Sequence, residues 1–217
     1  MGAAADRRNG TQLSRSSRPR LTLRPRVVQQ RSVLRCDEGT GMATRDILKT
    51  LQAEHDELRA LFEEMEATTD RASKKRANLL ERIEANLLPH AKWEEQVFYP
   101  MFAERADRDG LKTHAEALED HRAVEKTVLP DVHAAELTTP QFAGRVKVFG
   151  EMIDHHAKEE ETTMFRMARK LFNAKERSEL DVAYEEWKAS PAAAAAVLAA
   201  EAQTGAKAAV RKVTRRA

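Results

Sequence analysis

One segment of this chain places a histidine and a glutamate where an apolar helical face calls for leucines. His90 and Glu94 are four residues apart, and this spacing stacks both side chains on one face of an α-helix, about one turn apart. The same face carries apolar residues at steps of three and four, namely Leu80, Ile83, Leu87, Val97 or Phe98, and Met101. An ionised carboxylate in an apolar stripe is costly unless it is paired or bound to a metal. The segment therefore indicates a metal site between packed helices.

The same arrangement occurs a second time, 66 residues further along the chain. Three pairs of ligand-type residues are related by this offset: His55 and His121, His90 and His156, and Glu94 and Glu160. In each half, a lone histidine precedes the His-x-x-x-Glu segment by 35 residues. The repeat predicts two helical hairpins, each carrying one lone histidine and one His-x-x-x-Glu pair.

Composition sets the class of protein. Of the 217 residues, 41% are apolar and 33% charged, with few glycines, prolines and aromatics, which is typical of a soluble, mostly helical protein. No apolar run is long enough to span a membrane, so we expect a cytoplasmic protein with no membrane partner. The single cysteine, Cys36, excludes an intrachain disulfide.

Both ends of the chain are basic, and neither reads as part of the central fold. Residues 1–41 are rich in Arg, Ser and Pro, and three interpretations remain open: a disordered basic extension, an organelle transit peptide, or sequence upstream of a true start at Met42. We assign residues 42–173 to a helical bundle, 174–190 to an additional C-terminal helix, and 191–217 to an Ala-rich basic tail that is mobile or transiently helical.

Helical periodicity over the central residues predicts the fold. The four main helices are expected at about 44–68, 73–105, 111–129 and 140–172, with Thr44 as the first N-cap, a break at Asp109-Gly110, and an end or kink at Pro130. Short connections make consecutive helices antiparallel neighbours. The predicted fold is therefore all-α, an up-down-up-down antiparallel four-helix bundle with a short fifth helix and disordered basic termini.

Such a bundle brings the middles of its four helices to one level, and the ligand-type residues lie there. The six candidate metal ligands are His55, His90, Glu94, His121, His156 and Glu160. Imidazole and carboxylate together suit iron, manganese or zinc rather than calcium. Two-fold repetition suits two metals, and a carboxylate can bridge cations about 3.5–4 Å apart. The remaining coordination positions could take a small ligand such as dioxygen or nitric oxide.

The paired segments resemble the hemerythrin-like, or HHE cation-binding, family over roughly residues 44–172. The resemblance rests on His90-x-x-x-Glu94-Glu95 followed by Phe98-Tyr99-Pro100, and on the segment from His155 to Glu161. It implies a four-helix bundle that holds a non-haem di-iron centre. By position, it implies that the four histidines are terminal ligands and that Glu94 and Glu160 are bridges.

This chain departs from the oxygen-carrying members at two places. The carriers have a fifth histidine in a His-x-x-x-His segment on the third helix, whereas here Ala117 and Glu125 flank His121 at that spacing. The carriers also have His-x-x-x-x-Asp on the fourth helix. Here His155 has the five-residue step to Glu160 and His156 the four-residue step, so either histidine could be the ligand, and the repeat favours His156. The differences argue against a dedicated oxygen transporter.

The predicted function is binding rather than catalysis. We expect a monomer or homodimer with two iron ions, bridged by oxo or hydroxo, in preference to manganese or zinc, that binds, senses or buffers dioxygen, nitric oxide or iron itself. A di-iron peroxidase or oxidase is an alternative, although none of the seven histidines follows a glutamate at the Glu-x-x-His spacing of ferritin-like enzymes. A second alternative is a nucleic-acid-associated redox module acting through the basic tails.

Overall fold

The computed structural model describes residues 45–214, with side chains up to residue 202, and all regular structure in that part is helical. The α-helices are α1 (Ile47–Glu66), α2 (Ser73–Trp93), α3 (Tyr99–Arg105), α4 (Arg108–Ala123), α5 (Leu129–His133), α6 (Pro140–Glu159), α7 (Phe165–Leu171), α8 (Ala174–Lys188) and α9 (Pro191–Thr214). Three π-helical turns join them: π1 (Glu94–Phe98), π2 (Val124–Val128) and π3 (Glu160–Met164). The predicted all-α class is confirmed.

Several predictions lie outside the described residues or stay predictions. The predicted N-terminal extension, 1–41, and the predicted cap at Thr44 lie outside the described residues. Within the described residues, Asp46 caps α1 by accepting a hydrogen bond from the Leu48 amide at 3.1 Å. The domain boundaries and the up-down-up-down topology stay predictions.

The π turns connect shorter helices into three long helical rods, and α1 forms the fourth. The rod that contains π2 differs from prediction at two places. Asp109 and Gly110 lie in the first turn of α4, because the carboxylate of Asp107 caps this helix by accepting the Gly110 amide at 2.9 Å. Pro130 does not end the rod, which continues to His133. Pro130 follows π2 directly, and the wider turn accommodates a residue that lacks an N–H.

The apolar core consists of two clusters with the candidate ligands between them. Along α1, Leu51 belongs to one cluster and Leu58 to the other, and His55 lies between them. The other three rods have the same arrangement, and the order of the two clusters alternates from one rod to the next: Leu87 to Phe98, Ala117 to Val124, and Ile153 to Met164. Packing of the two clusters thus holds all four histidine-bearing segments at one level.

The C-terminal residues are helical where a mobile tail was predicted. Helix α9 runs from Pro191 to Thr214 and packs against α2, α5 and π2, with Ala193 and Ala200 buried. Alanine has the highest helix propensity, and its small side chain permits close approach. The predicted disorder of this end is therefore not confirmed. None of the described helices has the length and apolar character needed to cross a bilayer.

Candidate metal centre

The two candidate bridging glutamates each open a π-helical turn. The backbone N–H of Tyr99 donates to the carbonyl of Glu94 five residues earlier, and that of Phe165 donates to the carbonyl of Glu160. These turns are related by the 66-residue offset of the repeat. Because each π turn contains one extra residue, the residue five positions after the glutamate, Tyr99 or Phe165, bonds to its carbonyl in place of the residue four positions after it. π turns of this kind are frequent at functional sites.

The structure brings all six predicted ligand residues together in the buried core. Two overlapping groups each place their ligand atoms within 4.8 Å of one another: His55, His90, Glu94 and Glu160 in the first, and Glu94, His121 and His156 in the second. Glu94 belongs to both groups. That these residues bind metal stays a prediction, and the geometry of the two groups bears on it.

Each histidine pair presents two ring nitrogens to one point. The Nε2 atoms of His55 and His90 are 3.1 Å apart, and those of His121 and His156 are also 3.1 Å apart. A separation of about 3 Å is expected for two neighbouring nitrogen ligands that each lie about 2.1 Å from one cation. Glu94 divides its oxygens between the pairs: Oε1 lies 3.1 Å from His90 Nε2, and Oε2 lies 3.6 Å from His121 Nε2.

The carboxylates have the unsatisfied oxygens that a cation would need. Glu94 is fully buried, and neither of its side-chain oxygens accepts a hydrogen bond from the described residues. Atom Oε2 of Glu160 is also buried and accepts no hydrogen bond from the described residues. A buried carboxylate without a partner is costly, and the donor set of imidazoles and carboxylates suits iron, manganese or zinc. The residues present therefore fit two divalent cations that share Glu94.

An outer ring of carboxylates holds the four histidines. Each Nδ1–H donates to one acidic side chain: His55 to Glu161 at 2.9 Å, His90 to Glu54 at 2.8 Å, His121 to Glu95 at 3.2 Å, and His156 to Asp120 at 3.3 Å. Such partners keep Nε2 free for a metal and set the ring orientation. Glu95 and Glu161, each next to a candidate ligand glutamate in the sequence, thus belong to this outer ring.

Without metal, these carboxylates make His90 strongly basic. Burial alone would lower its pKa, but the carboxylates of Glu94 and Glu54 outweigh burial and raise the pKa of His90 to about 10. Burial raises the pKa of Glu54, yet hydrogen bonding and the charge of His90 lower it overall to about 2. The metal-free site therefore retains protons near neutral pH, and a metal must displace them.

We expect the metal-free protein to lose stability as the pH rises from 6.5 to about 10. In that window the unfolded chain has released the His90 proton while the folded chain keeps it, so the stabilisation present below pH 6.5 disappears by about pH 10. The loss should be roughly 3–5 kcal/mol. Urea unfolding of the metal-free protein at both ends of the window measures it. Metal-free His90→Ala should show a smaller fall, and an equal fall in both proteins would contradict the assignment.

Tyr99, which the sequence does not mark as a site residue, lies against the second histidine pair. Tyr99 is fully buried; its hydroxyl donates to Oε1 of Glu160 at 2.7 Å and lies 3.3 Å from Nε2 of His121. Burial and the surrounding carboxylates raise its pKa well above the ordinary value, so the phenol is neutral. The repeat places Phe165 at the equivalent position, stacked on His55 with ring centroids 6.0 Å apart. Aligning the two halves of the repeat would have revealed this difference.

Of the two adjacent histidines, His156 faces the centre. His155 has 67% of its side chain exposed and pairs with Glu159 on the surface. The other two histidines lie outside both ligand groups: His114 packs edge-on against the ring of Tyr99, and His133 contacts Glu84.

A small cavity adjoins the two histidine pairs. Its free volume is about 30 Å³, and its wall combines the four histidines with apolar side chains such as Leu87, Val124 and Ile153. A volume of this size holds a molecule about as large as water. The cavity therefore suits a diatomic molecule better than an organic substrate.

Comparison with known proteins agrees with this geometry. The hemerythrin HHE cation-binding domain matches residues 46–168. A protein of Nostoc sp. (strain PCC 7120 / SAG 25.82 / UTEX 2576) named "DNA nickase" is 25% identical over 132 residues, which are 61% of this chain and 36% of that protein. The chain thus spans little more than a third of that relative's length. No solved structure matches the chain.

Proposed function

Because this chain belongs to the hemerythrin HHE cation-binding family, we propose that its six central side chains hold two iron ions and that the loaded protein binds a small ligand. The observation that carries the proposal is Glu94, whose two oxygens face different histidine pairs and accept no hydrogen bond from the described residues. The repeat and the alternating order of the two core clusters support an up-down-up-down bundle around these ions.

The residues around the ions favour a diatomic ligand. Bound iron supplies redox chemistry and open coordination positions for dioxygen or nitric oxide. The apolar part of the cavity wall, with Leu87, Val124 and Ile153, favours a small apolar ligand over a polar one. The outer carboxylates hold the imidazole rings, so that ligand binding need not reorganise them. The protein would then sense or buffer its ligand, or buffer iron itself.

Metal analysis of the purified protein tests this proposal, with the two adjacent histidines as a matched pair. We expect about two irons per chain in the wild type and in His155→Ala, since His155 is on the surface. His156→Ala should lose at least one iron and should change the optical spectrum and the response to nitric oxide. Zinc, no metal, or equal iron in both variants would contradict the di-iron proposal.

A di-iron enzyme acting on peroxide is a second candidate, favoured by the phenol of Tyr99. The Tyr99 hydroxyl donates its proton to Glu160, and the hydroxyl oxygen lies 3.3 Å from His121 Nε2. The whole side chain of Tyr99 is buried. A buried neutral acid at this position could donate a proton to a small oxygen-containing ligand. The equivalent Phe165 could not, so among the described residues such a donor lies at the second histidine pair and not at the first.

Tyr99→Phe separates binding from peroxide chemistry. It reproduces the aromatic ring of Phe165 without the hydroxyl, so we expect about two irons per chain to remain. If the phenol acts as a proton donor, peroxide consumption by the loaded protein should fall about 100-fold, both with and without an added reductant. Unchanged consumption, or none in the wild type, would leave ligand binding as the function.

A nucleic-acid role is a third candidate, because the Nostoc relative is named "DNA nickase" and the last residues include Lys207, Arg211, Lys212, Arg215 and Arg216. The test is salt-dependent retardation of DNA, together with conversion of supercoiled plasmid to its nicked form. Both should disappear on deletion of residues 191–217 if the tail carries the contact. Binding that is absent in the full chain would exclude this candidate.

A further inference from the structure

We propose that helix α8, which lies beyond the matched family domain, is a positioning element that makes the two cation positions unequal. The position at His55 and His90 would retain its ion more firmly than the position at His121 and His156. The inference rests on the proposed cation binding, and it assigns a role to residues Tyr184 and Lys188 of α8.

The argument begins at Glu54, the outer partner of His90. This carboxylate accepts three hydrogen bonds: from His90 Nδ1 at 2.8 Å, from the Tyr184 hydroxyl at 2.6 Å, and from Lys188 Nζ at 3.0 Å. Tyr184 is itself buried and packs against Trp93, with ring centroids 4.7 Å apart. Glu54 is therefore held by α8 on one side while it orients the imidazole of His90 on the other.

The equivalent carboxylate in the second half of the repeat has no such support. Asp120 accepts from Nδ1 of His156 at 3.3 Å, and no other side chain among the described residues contacts its oxygens. Its side chain is 30% exposed, against 19% for Glu54. A longer bond to a more exposed carboxylate should hold the ring of His156 less firmly than Glu54 holds that of His90.

The remaining two outer carboxylates do not reverse this difference. Glu161, the partner of His55, lies 3.0 Å from the guanidinium of Arg59, and Glu95, the partner of His121, lies 2.8 Å from Lys92 Nζ. Each position therefore has one glutamate secured by a basic residue. Among the outer carboxylates, the difference between the two positions is the pair of donors that α8 adds at Glu54.

Further polar contacts align helix α8 along α1 and thereby fix the positions of its two donors to Glu54, Tyr184 and Lys188. Arg177 binds the carboxylate of Asp46 at 3.0 Å, and Thr50 donates to Asp181. Asp46, Thr50 and Glu54 follow one another at steps of four residues, so α1 offers α8 one polar contact per turn. The last of these contacts is the one that reaches the metal centre.

The test is the rate at which the iron-loaded, full-length protein releases its ions to an excess of chelator. The wild type should release them in two phases, one for each position. Tyr184→Phe keeps the aromatic ring but removes one donor to Glu54, so the slow phase should become about tenfold faster while the fast phase stays unchanged. Lys188→Met should act in the same direction, and Lys188→Arg, which keeps a donor, should restore the slow phase.

Two controls separate positioning from loss of fold. Lys175→Met removes a lysine of α8 whose side chain is 84% exposed, and it should change neither phase. Asp120→Asn should accelerate the fast phase only. In the Mössbauer spectrum, Tyr184→Phe should alter one of two quadrupole doublets, which general destabilisation of the bundle would not do.

The outcomes distinguish this inference from the proposed function. A wild type that holds no metal would overturn both. Two ions released at unchanged rates by Tyr184→Phe, or both phases accelerated equally, would overturn the role of α8 and leave metal binding intact. A single release phase in the wild type would show that the two positions are equal.

Discussion

Glu94→Gln is expected to reduce the bound metal from about two ions per chain to fewer than one. The reason is that Glu94 belongs to both ligand groups, with one oxygen towards His90 and the other towards His121. An amide keeps the size of the side chain but has one weaker oxygen ligand and no charge, so it cannot serve two cations. Metal analysis of the folded variant, checked by circular dichroism, measures the effect.

The adjacent glutamate is the matched control for this prediction. Glu95 makes no direct contribution to either ligand group, and it acts on the centre only by accepting from Nδ1 of His121. Glu95→Gln should therefore keep both ions and weaken the binding of one of them by about 10–100-fold. If both variants retained two ions, or if Glu95→Gln lost as much metal as Glu94→Gln, Glu94 would not be a shared ligand.

Removal of the metal is expected to lower the unfolding temperature by roughly 15–30 °C. An ion present at 1,000 times its dissociation constant stabilises the folded state by about 4 kcal/mol, and two ions by about twice that. For a chain of this size, each kcal/mol corresponds to about 2–4 °C. In the metal-free protein, the buried carboxylates of Glu94 and Glu160 face histidines that retain protons in place of metal ions. Calorimetry with and without chelator measures the shift.

Glu94→Gln is also the control for this experiment, because a variant that binds little metal should respond little to chelator. Re-addition of iron should restore the unfolding temperature of the wild type but not that of the variant. A shift below about 3 °C in the wild type would mean that the bundle does not depend on metal, since that corresponds to only about 1 kcal/mol.

Much of the centre could be inferred from the order of residues alone. The histidines and glutamates interrupt apolar stripes, and the 66-residue offset repeats each interruption. A helix exposes its periodicity directly in its sequence, because residues three and four apart share a face. The all-helical class, the family and the meeting of six ligand-type residues in the core follow from that pattern. The repeat also favours His156 over His155, and His156 is the one whose side chain faces the centre.

Predictions of helix boundaries from proline, glycine and helical periodicity failed where a turn departs from the regular α-helix. The break expected at Asp109-Gly110 lies at Ala106-Asp107 instead, because Asp107 caps α4. Of the end or kink expected at Pro130, the end does not occur, because a π turn precedes Pro130 and the helical segment continues to His133. A period of 3.6 residues does not reveal a π turn, so it could not place Tyr99 beside the second histidine pair. Helical periodicity likewise does not show that the alanine-rich C-terminal segment packs against α2 and α5.

Contacts between distant segments required the tertiary structure. Periodicity identifies which face of a helix is buried, but not which side chain of another helix lies opposite. The partner of His55 is Glu161 in the other hairpin, and the partners of Glu54 include Tyr184 in a helix beyond the bundle. These hydrogen bonds join residues that are 106 and 130 positions apart, and only packing of the helices brings them within reach. The sequence thus specifies the candidate ligands of the centre, whereas the fold decides how each of their side chains is held.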